Sequence, residues 1–201
     1  SDGRAYYDAH AWVKADSEIA AAHLDGDDST DPFALLAGKT SCHTGWLKSA
    51  GMLMPMGYLI GNGYVNIKGD MSDTETLRVT INDYFDGSTG AGNPASIPES
   101  GALYSGYNGA LECLSSGYGD VAFVKDSTPG SYCGNENATE NEAWCLDMTE
   151  YVALSKFGAS PSHSVMFNKA VLDDSKEVMI RDALVGMKDN EEGLAILNSV
   201  L

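Results

Sequence analysis

The sequence predicts an α/β fold, a mixed sheet with flanking helices, and three observations lead to it. Val121-Ala122-Phe123-Val124 is a continuous apolar run, the pattern of a strand covered on both faces. Strand-like and helix-like segments alternate on either side of it. After Asp173, the apolar residues Val178, Leu184 and Val185, then Leu194 and Leu197, fall at helical spacings, giving two closing helices separated near Lys188-Asp189-Asn190.

In chain order, Tyr6 to Val13 alternates loosely and suits an early strand, and the Ala-rich run Ser17 to Leu24 suits a helix. Asp25 to Asp31 has the composition of a calcium loop but lacks the sixth-position Gly and twelfth-position Glu of an EF-hand, so it reads as a solvated acidic loop. Gly38-Lys39-Thr40 imitates the end of a P-loop, yet Phe33 stands where the first Gly belongs and the match fails. Ser49 to Ile60 predicts a helix or helix pair lined with Met52, Leu53, Met54 and Leu59, the methionines serving as packing. Asp83 to Ser100, rich in Gly, Pro, Ser and Asn, predicts a long surface loop. Ala102 to Leu114 leads into a helix around Asn108, and Val152–Ser155 and Val165–Phe167 predict further short strands.

A chain of 201 residues with 43% hydrophobic content can bury one sizeable core or two small ones. Its net charge of −17 opposes binding to nucleic acid and anionic membranes, because twelve Lys and Arg cannot locally offset the acidic repulsion. No apolar run approaches the roughly 20 residues that span a bilayer, and the best candidate, Met52 to Ile60, is interrupted by Pro55 and Gly57. No basic segment followed by an apolar one opens the sequence, so any signal peptide is expected to have been removed or not included. Four cysteines allow three pairings, and the absence of C-x-x-C argues against a zinc ribbon or thioredoxin motif. Asn137-Ala138-Thr139 is a glycosylation acceptor sequence, usable only on an exposed segment in the secretory route.

Chemistry concentrates in Lys39-Thr40-Ser41-Cys42-His43-Thr44-Gly45-Trp46-Leu47-Lys48-Ser49-Ala50-Gly51, where a strand-like segment gives way to a helix. Free N–H groups at a helix N-terminus point outward, and Thr44 and Lys48 can add a donor and a charge, which makes the junction an anion site. Read with Gly106-Tyr107-Asn108-Gly109-Ala110-Leu111-Glu112-Cys113-Leu114, Gly119-Asp120-Val121-Ala122-Phe123-Val124-Lys125 and Pro161-Ser162-His163, in that order, the chain resembles the iron-binding core of a transferrin lobe.

The resemblance implies a fold of the periplasmic-binding-protein type, in which iron(III) sits in a cleft between two α/β domains. An aspartate, two tyrosines, a histidine and a carbonate hold it, and hard oxygen donors of this kind suit a trivalent ion. Tyr107 matches the tyrosine of the family's Gly-Tyr-Ser-Gly-Ala, and His163 the histidine of its Pro-Ser-His-Thr-Val. Tyr7 is taken as the other tyrosine, with Tyr6 as the alternative, since the spacing to Lys14 is one residue longer than in serum-type transferrins. Thr44, Lys48 and the backbone N–H groups of Ala50 and Gly51 map onto the carbonate pocket, and the disulfides implied are Cys42 with Cys113 and Cys133 with Cys145. Paired cysteines around Asn137 favour an extracellular or cell-surface setting.

Two departures stand out. Lys48 replaces the arginine of the animal pattern, exchanging a planar fork of donors for a compact charge. The family aspartate lies well before the first tyrosine, whereas here only Asp8 is near; the fourth ligand is expected to be absent or replaced. The likeness runs from about Tyr6 to Phe167, so residues 1–168 are expected to be a second domain with both hinge strands. Residues 169–201 are expected to close onto the other domain, the first domain being truncated. The sparse cysteines bring the chain nearest in character to algal phytotransferrins.

Capture of iron(III) with carbonate, with a cell-surface receptor or larger assembly as partner, therefore leads the functional readings. A phosphate- or phosphonate-type anion receptor would use the Thr44 to Gly51 pocket without iron. A metal-free interaction subunit is favoured by the lysine and the missing aspartate. Enzyme motifs are lacking: there is no Gly-x-Ser-x-Gly, no His-Glu-x-x-His and no framed carboxylate pair. His43 reads as structural, His10 and His23 have no motif around them, and Asp120 reads as a turn or capping residue.

Overall fold

In the computed structural model, which describes residues 6–27, 29–70, 72–86, 97–161 and 167–200, the chain divides into two units after Ser160. The first is built on five strands: β1 (Tyr6–Lys14), β2 (Ser41–His43), β3 (Val121–Lys125), β4 (Tyr151–Ala153) and β5 (Gly158–Pro161). The order is β2-β3-β1-β4, with β5 also pairing with β1. β1 runs antiparallel to β3, with Ala9 opposite Lys125 and Val13 opposite Val121, and antiparallel to β4. β2 runs parallel to β3, with His43 opposite Phe123. This is the mixed sheet the sequence predicts.

Helices cover both faces, which is why β3 is apolar from Val121 to Val124. Val121 and Phe123 of β3, with Ala11 and Val13 of β1, meet Ile19 of α1 (Glu18–Leu24), Met56 and Leu59 of α2 (Met54–Gly61) and Ile81 of α3 (Glu75–Tyr84). Ala122 and Val124 face the other way, onto Ala110, Leu111 and Leu114 of α4 (Gly106–Ser115) and Cys133 of α5 (Thr128–Cys133). α1 starts where expected, because the Ser17 hydroxyl accepts the Ala20 N–H at 3.1 Å.

Several local expectations need correction. The stretch Ser49 to Ile60 is a π-helical turn, Ser49–Leu53, followed by α2. Its wider winding leaves Met52 and Leu59 in the core but turns Leu53 out, 43% exposed. α3, absent from the sequence reading, extends into the expected loop as far as Tyr84; Phe85 and Ile97, also in that span, belong to the core, while residues 87–96 lie outside the described set. α4 begins at Gly106, two residues ahead of Asn108.

The disulfides formed are Cys42–Cys113 and Cys133–Cys145, the pairing the resemblance implies. The first closes a separation of 71 residues. Restricting the unfolded chain over that span contributes about 4 kcal/mol.

The second unit contains α6 (Asp174–Gly186) and α7 (Glu191–Val200), joined through a tight turn at Met187–Asp189 where the break is expected. Asp173 caps α6 by accepting the Lys176 N–H at 2.9 Å. Val178, Val185 and Leu194, part of the helical pattern, are exposed. Most of the strand expected over Val165–Phe167 lies outside the described residues, as does His163.

Candidate functional site

The parallel pair β2 and β3 ends at one edge of the sheet, and in open α/β sheets that edge is where ligands are received. β1 enters at the same edge, because it is antiparallel to β3. Tyr7 near the start of β1, Thr44 just past β2 and Lys125 at the end of β3 are therefore neighbours by topology. α4 also begins there: the Gly106 N–H donates to the Thr44 carbonyl at 2.8 Å, which seats Tyr107 in the first turn of the helix.

The Tyr7 and Tyr107 side chains lie within electrostatic reach of one another. Burial first, and then the neighbouring Tyr7, hold the Tyr107 phenol above its ordinary pKa. The Lys125 ammonium stands 5.0 Å from the centre of the Tyr107 ring. Tyr6, next along β1, is 50% exposed, and strand alternation turns it to the opposite face from Tyr7.

The glycines around Tyr107 follow from its surroundings. Gly106 has φ +75°, a left-handed conformation, and Gly109 lies so close to the Tyr104 backbone that a Cβ would come within 2.7 Å of its carbonyl oxygen. Gly119 is pressed against the Cys42 sulfur in the same way.

After β2 the chain makes a sharp corner, with Leu47 at φ +56°, and enters the π-helical turn. Hydrogen bonding in that turn starts with the Met52 and Leu53 N–H groups, which donate to the Lys48 carbonyl at 3.0 and 2.9 Å. The N–H groups of Ala50 and Gly51 stand ahead of these first bonds, as at any helix N-terminus. Thr44 and Gly51 are buried together; a Cβ on Gly51 would lie 2.8 Å from the Thr44 nitrogen. Lys48 is exposed, and among the described residues no carboxylate pairs with it.

The remaining candidates are engaged elsewhere. Asp8 pairs with Lys156 at 3.2 Å, and the His10 Nδ1 lies 2.8 Å from the Leu154 carbonyl. His23 sits in the last turn of α1. The Asp120 carboxylate accepts the Thr40 N–H at 2.8 Å, which makes it a clasp at the entry to β2. His43 is fully buried, with Nδ1 2.7 Å from the Gly51 carbonyl and Nε2 2.9 Å from the Ser41 hydroxyl. Among the described residues, no three His, Cys, Asp or Glu side chains cluster as a metal site. Two surface concavities, of about 340 and 370 Å³, open beside Tyr64 and Tyr84 and beside Lys14 and Lys39; neither contains Tyr7, Tyr107, Thr44 or Lys48.

Lys125 is the residue at this edge that the sequence reading passed over. Its signal is its place directly after the apolar run of β3, at the strand end that faces the site.

The family model described as Transferrin matches residues 1–101 and 88–184. The chain is 39% identical over 129 residues to ovotransferrin of Gallus gallus, an alignment covering 56% of the chain and 17% of that protein. It is 34% identical over 153 residues to serotransferrin of Paralichthys olivaceus, covering 67% of the chain and 21% of the relative. The chain thus spans about a fifth of the length of these relatives. Among solved structures, transferrin 1 from Manduca sexta superposes with a TM-score of 0.60 at 21% identity, over 94% of the chain and 34% of the other, a likeness of fold.

Proposed function

Because this chain belongs to the transferrin family, we propose that it takes part in capturing iron(III) with carbonate. In this reading Tyr7, Tyr107 and His163 bind the ion, while Thr44, Lys48, Ala50 and Gly51 hold the anion. The observation that carries it is the meeting of Tyr7 and Tyr107, far apart in sequence, beside the Thr44 corner. Two adjacent phenols are a poor donor set for a soft metal and a good one for a hard trivalent ion, which expels their protons on binding. His163 enters on its sequence match alone.

The test is a ferric titration of the full chain with and without bicarbonate, followed by the visible tyrosinate-to-iron band. A band that needs bicarbonate is expected. A colourless protein that instead binds phosphate would give the anion-receptor reading, and one that binds neither would give the interaction subunit.

Lys48 supplies charge without the forked geometry of arginine, so its share of anion binding should be modest and replaceable. Lys48→Ala should raise the bicarbonate concentration needed for half the band about fivefold to tenfold, and surplus bicarbonate should restore the full signal. An unchanged requirement would remove Lys48 from the pocket.

An extracellular or cell-surface setting fits the two disulfides and the exposed sequon. The Thr139 hydroxyl and N–H both donate to the Asn137 Oδ1, at 2.8 and 3.3 Å, which ties the acceptor amide to the hydroxyl that the motif requires. Protein secreted from eukaryotic cells should therefore lose mass on N-glycanase treatment, with Asn137 converted to Asp. Thr139→Ala should abolish the shift, and an unmodified Asn137 peptide in the untreated protein would refute the assignment.

A further inference from the structure

His43 touches neither proposed ligand, yet it grips the turn that would hold the anion. Its ring is locked in the core, 5.0 Å from the Phe123 ring and 6.0 Å from that of Phe85. A carbonyl only accepts, so the proton between His43 and Gly51 sits on Nδ1, and Nε2 accepts from the Ser41 hydroxyl. Burial lowers the His43 pKa to about 4, against the Gly51 bond that favours the charged ring, so the ring stays neutral in this tautomer.

The Gly51 carbonyl takes a side-chain donor where the sequence interrupts the α-helical one. The residue four places on, which would bond it in an ordinary α-helix, is Pro55 and has no N–H. The end of β2 and the residue after it thus hold Gly51 at two points: the His43 ring bonds its carbonyl, and Thr44 packs against its Cα.

We propose that His43, oriented by Ser41, is a positioning residue for the anion pocket, fixing the Gly51 peptide so that the neighbouring N–H groups converge on one small oxyanion. The inference rests on the ferric-carbonate reading for its consequence and on the hydrogen bonds alone for its geometry. It predicts that a donor at the Nδ1 position, and not the imidazole as such, is what the pocket requires.

The experiment compares His43→Asn, whose amide N–H can stand where Nδ1 does, with His43→Leu, which fills space without donating. In the full chain, the bicarbonate concentration for half the ferric band should stay within about threefold in the Asn variant and rise about tenfold or more in the Leu variant. Equal shifts in both, or none in the Leu variant, overturn the proposal; a purely structural role would lower the melting temperature without separating the two. If His43→Leu does not fold, Ser41→Ala takes its place, with an expected rise of about threefold, and no rise overturns the proposal.

Amide NMR in the absence of iron keeps the two readings apart. The Gly51 N–H should give one sharp signal in the unmodified protein and in His43→Asn, and a broadened or doubled one in His43→Leu or in its substitute. An unperturbed signal in whichever of these two variants is used sinks the positioning role, whereas a missing ferric band with the expected spectra sinks only the iron reading.

Discussion

Tyr107→Phe should about halve the visible ferric band, leaving the share of Tyr7, and lower iron affinity by roughly three orders of magnitude or more, because a hard anionic donor is lost. The fold should survive, since the ring can keep its place beside Lys125. The pH dependence sharpens the test. Tyr107 is protonated below a pKa that is raised by burial and by Tyr7, so binding iron must release its proton, and affinity falls as pH falls. With two phenols displaced, affinity at fixed carbonate should change about a hundredfold per pH unit, and with one about tenfold. Competition against a chelator across pH measures both slopes, and an unaltered slope in the variant would exclude Tyr107 as a ligand.

The second large effect is expected at Gly51. Alanine there would bring a Cβ within 2.7 Å of the Thr44 Cβ and 2.8 Å of its backbone nitrogen, contacts that no side-chain rotation relieves. Gly51→Ala should cost about 3 kcal/mol in urea unfolding and abolish bicarbonate-dependent binding, because the corner must open to admit the methyl group. Gly57 is the internal control: it lies in α2, is exposed, and has nothing within 4 Å of a built Cβ. Gly57→Ala should stabilise by up to about 1 kcal/mol, as expected for a helix interior. A Gly51→Ala protein as stable as the parent would mean that the corner is not packed as described.

What could be read from the residues divides along physical lines. β3 announces itself because burial on both faces demands an unbroken apolar run, and β1 because its alternation, though loose, reaches the aligned Tyr7. α3 was hidden because Glu75 to Tyr84 carries Thr, Val and Ile that suit a strand equally well; only Thr76, Thr80 and Ile81 go inward, and the Thr80 hydroxyl is held by the Lys68 N–H at 3.0 Å. α5 contains Pro129 and Gly130 in six residues, the chemistry of a turn, and packing decides otherwise. At the site, the choice between Tyr6 and Tyr7 was beyond spacing, since one residue of register reverses the face. The π-helical turn was beyond reach too, because hydrophobic periodicity does not distinguish a single wide turn from the helix that follows it.

The Cys42–Cys113 bridge joins the strand that leads into the anion corner to the helix that carries Tyr107. Joined covalently, these two parts cannot separate far from one another. For a ferric carrier, cargo would not be let go by prising the phenol from the oxyanion seat; discharge would start with proton attack. Reducing that single bond should free the two parts from each other and, with them, give up the stability the closed span supplies.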